Sequence, residues 1–259
     1  MSIDLGGAVA CFTFDNMAEA ADVGAGLAIG PRDDAADPSL KVGYPNLFRL
    51  LAAHRVRATF FVEGWNGQHH PDAVAAIVQH GHELGMHGWA HEPWAMLARD
   101  EEAALAARAT AALQRAAGVR PRGFRAPGGG RTPHTEAILR NLGYAYDASL
   151  GDGMRAARLP AGLAQVPFVW SAVDGFYYLR PAPVDPATVR DGWLRALDGA
   201  VARRGLFLLI CHAFITGVDD ARLAALDAVV RAAASDDRIT ILTAGEVAER
   251  ILAAAQSPA

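Results

Sequence analysis

Short runs of consecutive apolar residues alternate along the chain with longer stretches of helical periodicity, the pattern of parallel strands joined by crossover helices. Strands are expected at 8–14, 58–62, 82–86, 123–125, 145–148, 165–168, 205–211 and 239–242, several of them apolar at successive positions, as strands covered on both faces should be. Helices are expected at 45–54, 71–80, 93–117, 133–141, 186–203, 219–234 and 244–255. Proline opens several of them, where its missing N–H leaves no bond unmade, and Gly81, Gly118 and Gly143 stand as stop signals after three. About seven strand–helix units, with no Ser/Gly linker and no internal repeat, predict one barrel-like α/β domain over residues 1–259, distorted because the strand lengths are uneven. Two segments resist the scheme, 22–43 and 149–163. Loops of that length usually cover a site, and the first follows the strand that ends at Asp15, which makes it the expected lid.

Composition narrows the function classes. With 52% hydrophobic and 20% charged residues the chain is an ordinary globular one, so disorder, collagen and coiled coil are excluded. A formal charge of -4 without a run of like charges offers no field for a phosphate backbone, and nucleic acid is not an expected partner. The most apolar run, 206–211, is far short of the roughly 20 residues a membrane span needs. The opening segment carries Asp4, lacks a basic stretch and runs directly into the first strand, so no secretory leader is expected. Only Cys11 and Cys211 are present, too few for a disulfide framework, and a cytoplasmic setting is expected.

In a parallel barrel the reactive groups gather where strands end, so polar residues just past apolar strands are the ones to collect. Asp15 follows the first such run, His87 and His91 the third, Arg125 the fourth and His212 the seventh. The four-residue spacing of His87 and His91 turns both imidazoles one way on a helical turn, within reach of one metal ion. Seven of the nine histidines fall between His54 and His91, so taken alone the pair reads first as surface or hydrogen-bonded histidines. His82-Glu83 does not begin a zinc-protease helix, because Met86 stands where that motif needs histidine. Cys211 beside His212 raises a thiol nucleophile, but neighbours on a strand face opposite ways; both cysteines read as core.

Together these segments resemble the polysaccharide deacetylase family, the NodB-homology domain of carbohydrate esterase family four. Thr13-Phe14-Asp15-Asn16 is similar to its T-F-D-D motif, and Gly81-His82-Glu83-Leu84-Gly85 with His87 and His91 to its second motif. Phe124-Arg125-Ala126-Pro127 is similar to its F-R-x-P, and Leu208 to His212 to its closing L-x-x-x-H. The resemblance implies a distorted (β/α)7 barrel and hydrolysis of an amide carbon–nitrogen bond other than a peptide bond. It implies a divalent metal, zinc first, with His87, His91 and position 16 as its ligands. It implies Asp15 as general base, Arg125 as the residue orienting it and His212 as general acid, with Asp174 carried over from a loosely matching Val173-Asp174-Gly175-Phe176.

The departure is Asn16, which stands where the family has its metal-binding aspartate. Against the alternative D-x-D-A-E spacing of some relatives, Asp15, Ala18 and Glu19 match and Met17 falls at the ligand position. An amide oxygen lacks the full charge of a carboxylate, so weaker metal binding, or recruitment of Asp15 or Glu19, is expected. Among the aromatics, Trp89, Trp170 and Tyr177 are the expected substrate contacts. The expected partner is a small-molecule or oligosaccharide substrate, most simply an N-acetylated sugar; a homo-oligomer stays open. A cyclic ureide or imide substrate, or a silent member that binds a saccharide without cleaving it, are the alternatives.

Overall fold

The computed structural model describes residues 3–254, so the last position of the expected helix 244–255 and the ends of the expected 1–259 domain lie outside the described residues. The strands are β1 (Ala8–Asp15), β2 (Thr59–Val62), β3 (Glu83–Met86), β4 (Gly123–Phe124), β5 (Tyr146–Asp147), β6 (Ala157–Arg158), β7 (Ala164–Gln165), β8 (Leu206–His212) and β9 (Ile239–Ile241). The α-helices are α1 (Ala20–Gly24), α2 (Tyr44–Ala53), α3 (Gly64–His69), α4 (Pro71–Gln79), α5 (Arg99–Ala117), α6 (Thr135–Asn141), α7 (Asp174–Tyr178), α8 (Pro186–Arg203), α9 (Asp220–Ala234) and α10 (Ala244–Ala254).

The sheet runs β6-β7-β5-β4-β3-β2-β1-β8, with β9 beside the first half of β1 and β2 beside its second half. Every pairing is parallel except the β6/β7 hairpin. Single-residue bridges, Leu150 to Phe168 and Val173 to Ile210, carry the chain from β7 round toward β8. The sheet therefore curls into a half-barrel, the distorted barrel expected.

Side-chain alternation builds two cores. Ala10, Phe12 and Phe14 face the surrounding helices, packing with Leu47 and Phe48 of α2 and with Phe60. Val9 and Cys11 face the inside of the curl with Leu206, Leu208 and Ile210, and α10 closes the lower end through Val247 and Ile251. Thr13 and Asp15 continue that inner row, as His212 continues the inner row of β8. Asp15 and His212 are register partners at the same strand ends. Cys211 lies in the outer core and His212 faces the cavity, so the thiol and imidazole are separated as strand alternation requires.

Several expected elements are shorter than read, and two of them show why. Residues 93–117 form a 3-10 turn at Trp94–Met96 and then α5 from Arg99, because Ala98 is extended. The break lets the fully buried Trp94 donate its indole N–H to Glu102 at 2.8 Å. The run 165–168 stops as a strand at Gln165; Pro167 has no N–H for the ladder. In α3, Gly64 and Gly67 are obligatory: a Cβ at either would lie 2.4 Å from Ala109 Cα or 2.7 Å from the Ala112 carbonyl carbon of α5. Among the described residues no helix is long and apolar enough to cross a membrane.

Candidate active site

Arg125, one residue beyond β4, brings the strand ends together. Its guanidinium is buried, over the ring of Phe61 at 4.2 Å. Nη1 donates to Asp15 Oδ1 at 2.6 Å and to Thr13 Oγ1 at 2.8 Å, while Nε donates to the Ala148 carbonyl at 2.9 Å. A charge-assisted bond fixed at its far end by two neutral acceptors holds the Asp15 carboxylate in one direction. Nη2 is buried and has no hydrogen-bond partner among the described residues.

His87 donates Nδ1–H to the Arg125 carbonyl at 2.8 Å; since a carbonyl only accepts, Nε2 carries the lone pair. Burial pushes the His87 imidazole down to about 3, so the ring is neutral at any ordinary pH. The His91 imidazole is also held below its ordinary value, by burial first and then by the charge of His212. The two rings stand 5.1 Å apart between centroids. They converge through a turn, not the helical turn expected. Glu92 accepts N–H bonds from Trp89 at 3.0 Å and Ala90 at 2.9 Å, and His91 adopts a φ of 59°.

The turn after β1 is left-handed at Asn16 (φ 62°) and Ala18 (φ 44°). Groups from three other segments fasten it. Tyr44 donates its hydroxyl to the Asn16 carbonyl at 3.1 Å, Met17 N–H donates to Glu63 at 3.1 Å, and Ala18 N–H donates to Ser39 Oγ at 3.1 Å. Met17 is consequently fully buried in the outer core and supplies no ligand. Glu19 is engaged elsewhere: Trp65 donates its indole N–H to it at 3.0 Å and His70 Nε2 bonds it at 3.0 Å. Recruitment of Glu19 to the cavity is therefore ruled out in this arrangement.

His212 is backed by Asp174. One carboxylate oxygen takes the His212 Nδ1–H at 2.6 Å, and the other accepts the His212 backbone N–H at 2.8 Å and the Thr216 hydroxyl at 2.6 Å. Burial favours the neutral ring, but the adjoining carboxylate prevails and holds the imidazole above its ordinary value. Nε2 is left for the cavity.

A cavity of about 440 Å³ is lined by Asp15, Asn16, His87, His91, Arg125 and His212, bringing six of the predicted residues together. Asp174 stands directly behind His212, and Trp170 lies on the rim. Trp89 and Tyr177 are set outside it. The Trp89 ring is buried under the Arg108 guanidinium at 3.5 Å, and Tyr177 donates its hydroxyl to the Ser171 carbonyl and packs edge-on against Trp193. Glu63, Tyr44, Ser39 and Glu92, which fasten the turns that carry Asn16 and His91, were not anticipated; Glu63 directly follows an apolar strand, the signal that found Asp15.

Among the described residues no group of three or more His, Cys, Asp or Glu side chains is disposed to hold a metal ion. Asn16 lines the same cavity as His87 and His91. Two neutral imidazoles, one with its outer nitrogen already bonded to a carbonyl, together with an amide oxygen fit a divalent ion, with one negative charge fewer than a carboxylate supplies.

Residues 5–146 match the family model described as polysaccharide deacetylase, and the chain belongs to that family. It is similar to a Mycobacterium smegmatis protein described as a polysaccharide deacetylase, with a TM-score of 0.89 and 29% identity over 98% of this chain and 93% of that one. A structure of Puue allantoinase has a TM-score of 0.79 at 19% identity, covering 95% of this chain and 91% of that one, a likeness of fold. A peptidoglycan deacetylase of Helicobacter pylori is 34% identical over 111 residues, 42% of this chain and 38% of that protein. The match thus spans under two fifths of that relative's length.

Proposed function

We propose that the chain, as one catalytic domain over residues 1–259, hydrolyses a non-peptide carbon–nitrogen bond, removing the acyl group from an N-acetylated sugar or a related small N-acyl compound. The observation that carries this reading is the pairing of two oriented proton carriers, Asp15 on Arg125 and His212 on Asp174, as register partners across one cavity. Asp15 accepts the proton of the attacking water, directed by Arg125. His212, kept protonated by Asp174, donates from Nε2 to the leaving nitrogen; each proton transfer contributes typically 10²–10⁴-fold. His87, His91 and Asn16 are the residues to hold a divalent ion, zinc first, which when bound supplies Lewis-acid polarisation of the scissile carbonyl. The neutral amide at position 16 makes that ion weakly held.

Acetate release from purified protein, with and without added zinc, tests the reading. Asp15→Asn abolishes release while leaving metal content unchanged, and His87→Ala loses the metal. Full activity in Asp15→Asn removes the mechanism. Asn16 favours one rival, a silent member that retains saccharide without cleaving it; saccharide binding with no product under any metal condition selects that rival.

A further inference from the structure

The polar side chains lining the cavity are the six already described, and most are committed to one another. Asp15 is bonded to Arg125, His87 to the Arg125 carbonyl and His212 to Asp174. Beyond them the wall changes character. Trp170, Phe176, Leu179, Phe214 and Ile215 form it, and the indole N–H of Trp170 is the one polar side-chain group among them. Four of these are exposed, with Leu179 at 66% and Trp170, Phe176 and Phe214 near 40%; they are four of the ten large apolar side chains exposed among the described residues. So dense an uncovered rim marks a contact surface. A saccharide carries several hydroxyls, and burying each without a partner is unfavourable. This wall offers them one donor, the Trp170 indole N–H, and no acceptor.

The apolar residues are also placed on one side of the reaction. The Phe214 ring stands 5.4 Å from His212 between centroids, and Phe176 lies on α7, two residues beyond Asp174. Phe214 adjoins the group that protonates the leaving nitrogen and Phe176 lines the same cavity, so the nitrogen's substituent meets them.

We infer that the substrate is an amide whose nitrogen carries an apolar substituent of aryl size, and that a hydroxyl-bearing sugar is disfavoured at that position. This rests on the reading of the site as a carbon–nitrogen hydrolase. The step is a hydrolysis: water oxygen bonds to the acyl carbon, the C–N bond breaks, one water proton passes to Asp15 and His212 gives one to the nitrogen. The products leave as carboxylate and ammonium, the acid's remaining proton passing to the amine, and proton return from Asp15 to His212 through solvent restores both groups. No co-reactant besides water enters.

Three acetamides sharing one acyl group isolate the nitrogen side: N-acetyl-2-phenylethylamine, N-acetylethylamine and N-acetylglucosamine, with acetate release read for each. The phenyl compound is expected to exceed N-acetylethylamine by roughly 10- to 100-fold in kcat/KM, and the sugar to fall below both. In Leu179→Ser and Phe176→Ser, which alter exposed positions, the phenyl-to-ethyl ratio falls toward one. A sugar hydrolysed as fast as the phenyl compound overturns the inference and leaves the hydrolase reading standing. If none is hydrolysed, the hydrolase reading is decided by the Asp15→Asn and zinc comparison, and the inference by calorimetric binding of the phenyl compound to the intact protein: binding weakened by Leu179→Asp supports it, and no binding overturns it. Self-association abolished by Leu179→Asp also overturns it, assigning the rim to a second copy.

Discussion

Glu63 offers the sharpest test of how the site turn is held. The side chain is fully buried at the end of β2. Its Oε2 accepts from Met17 N–H at 3.1 Å and from Asn66 Nδ2 at 3.0 Å, while Glu63 Oε1 and Asn66 Oδ1 are both buried without partners. Two unpaired acceptors on side chains already sharing one bond are the pattern of a carboxylic acid beside an amide, in which Oε1–H becomes a donor. Burial pushes the Glu63 carboxyl up to about 8 from 4.5, against the bonds from its own backbone and from Met17.

The folded protein therefore binds this proton more tightly than the unfolded chain does. Stability from this group is complete below the unfolded value near 4.5 and declines as pH rises toward 8. From about pH 5 to about pH 8 the loss is about 3 kcal/mol. Glu63→Gln keeps the acceptor for Met17 and supplies a permanent N–H donor, so it lacks this decline. Urea unfolding followed by tryptophan fluorescence at several pH values gives the difference between variant and parent, in which the other titrating groups cancel. That difference should move in favour of Glu63→Gln as pH rises. A difference that stays flat with pH refutes a buried neutral Glu63 and the account of the turn built on it.

Other outcomes follow from the same geometry. Asp174→Asn removes the charge that holds His212 protonated, so the alkaline limb of kcat/KM moves to lower pH; an unmoved limb takes His212 out of the acid's place. Arg125→Lys keeps the charge but loses the separate Nε and Nη1 bonds, and kcat falls about 100-fold from misdirection of Asp15. Asn16→Asp tightens zinc binding measured by calorimetry, and unchanged affinity means position 16 is no donor. His70, held above its ordinary value because Glu19 and Asp34 outweigh burial, bonds Asp34 at 2.5 Å in the 22–43 segment. Protonation of His70 favours that attachment below its unfolded value near 6.5, and the advantage is lost as pH rises through its higher folded value. Amide exchange around Asp34 should then exceed the intrinsic rise with pH, and a protection factor constant with pH contradicts the tether.

The frame was legible because β1, β2 and β8 are largely runs of apolar residues at successive positions, as strands buried on both faces should be. Asp15 and His212 were legible because each stands one step past such a run, and Arg125 because it follows the short Gly123–Phe124 strand. Asp174 was faint, since its role appears only when a carboxylate on α7 meets a histidine from β8. The helix α3 was invisible: its glycines are chosen for contact with α5, and contact with a distant helix leaves no period in the local sequence. Trp89 shows the other limit, because adjacency to a histidine motif does not say whether a ring turns toward the cavity or away beneath Arg108. Glu92 and Tyr44 act on backbone atoms, which any residue type presents equally, and so nothing in the partner segments announces them.

The left-handed conformation of Asn16 has a consequence for how this pocket can vary. Asparagine and aspartate are the non-glycine residues that tolerate this region best, and they differ in size by almost nothing. Exchanging one for the other swaps a single nitrogen for oxygen while the chain path stays where Tyr44 and Glu63 have tied it. On the proposed reading, the affinity of the pocket for a cation is thus an adjustable property, set independently of the architecture that surrounds it.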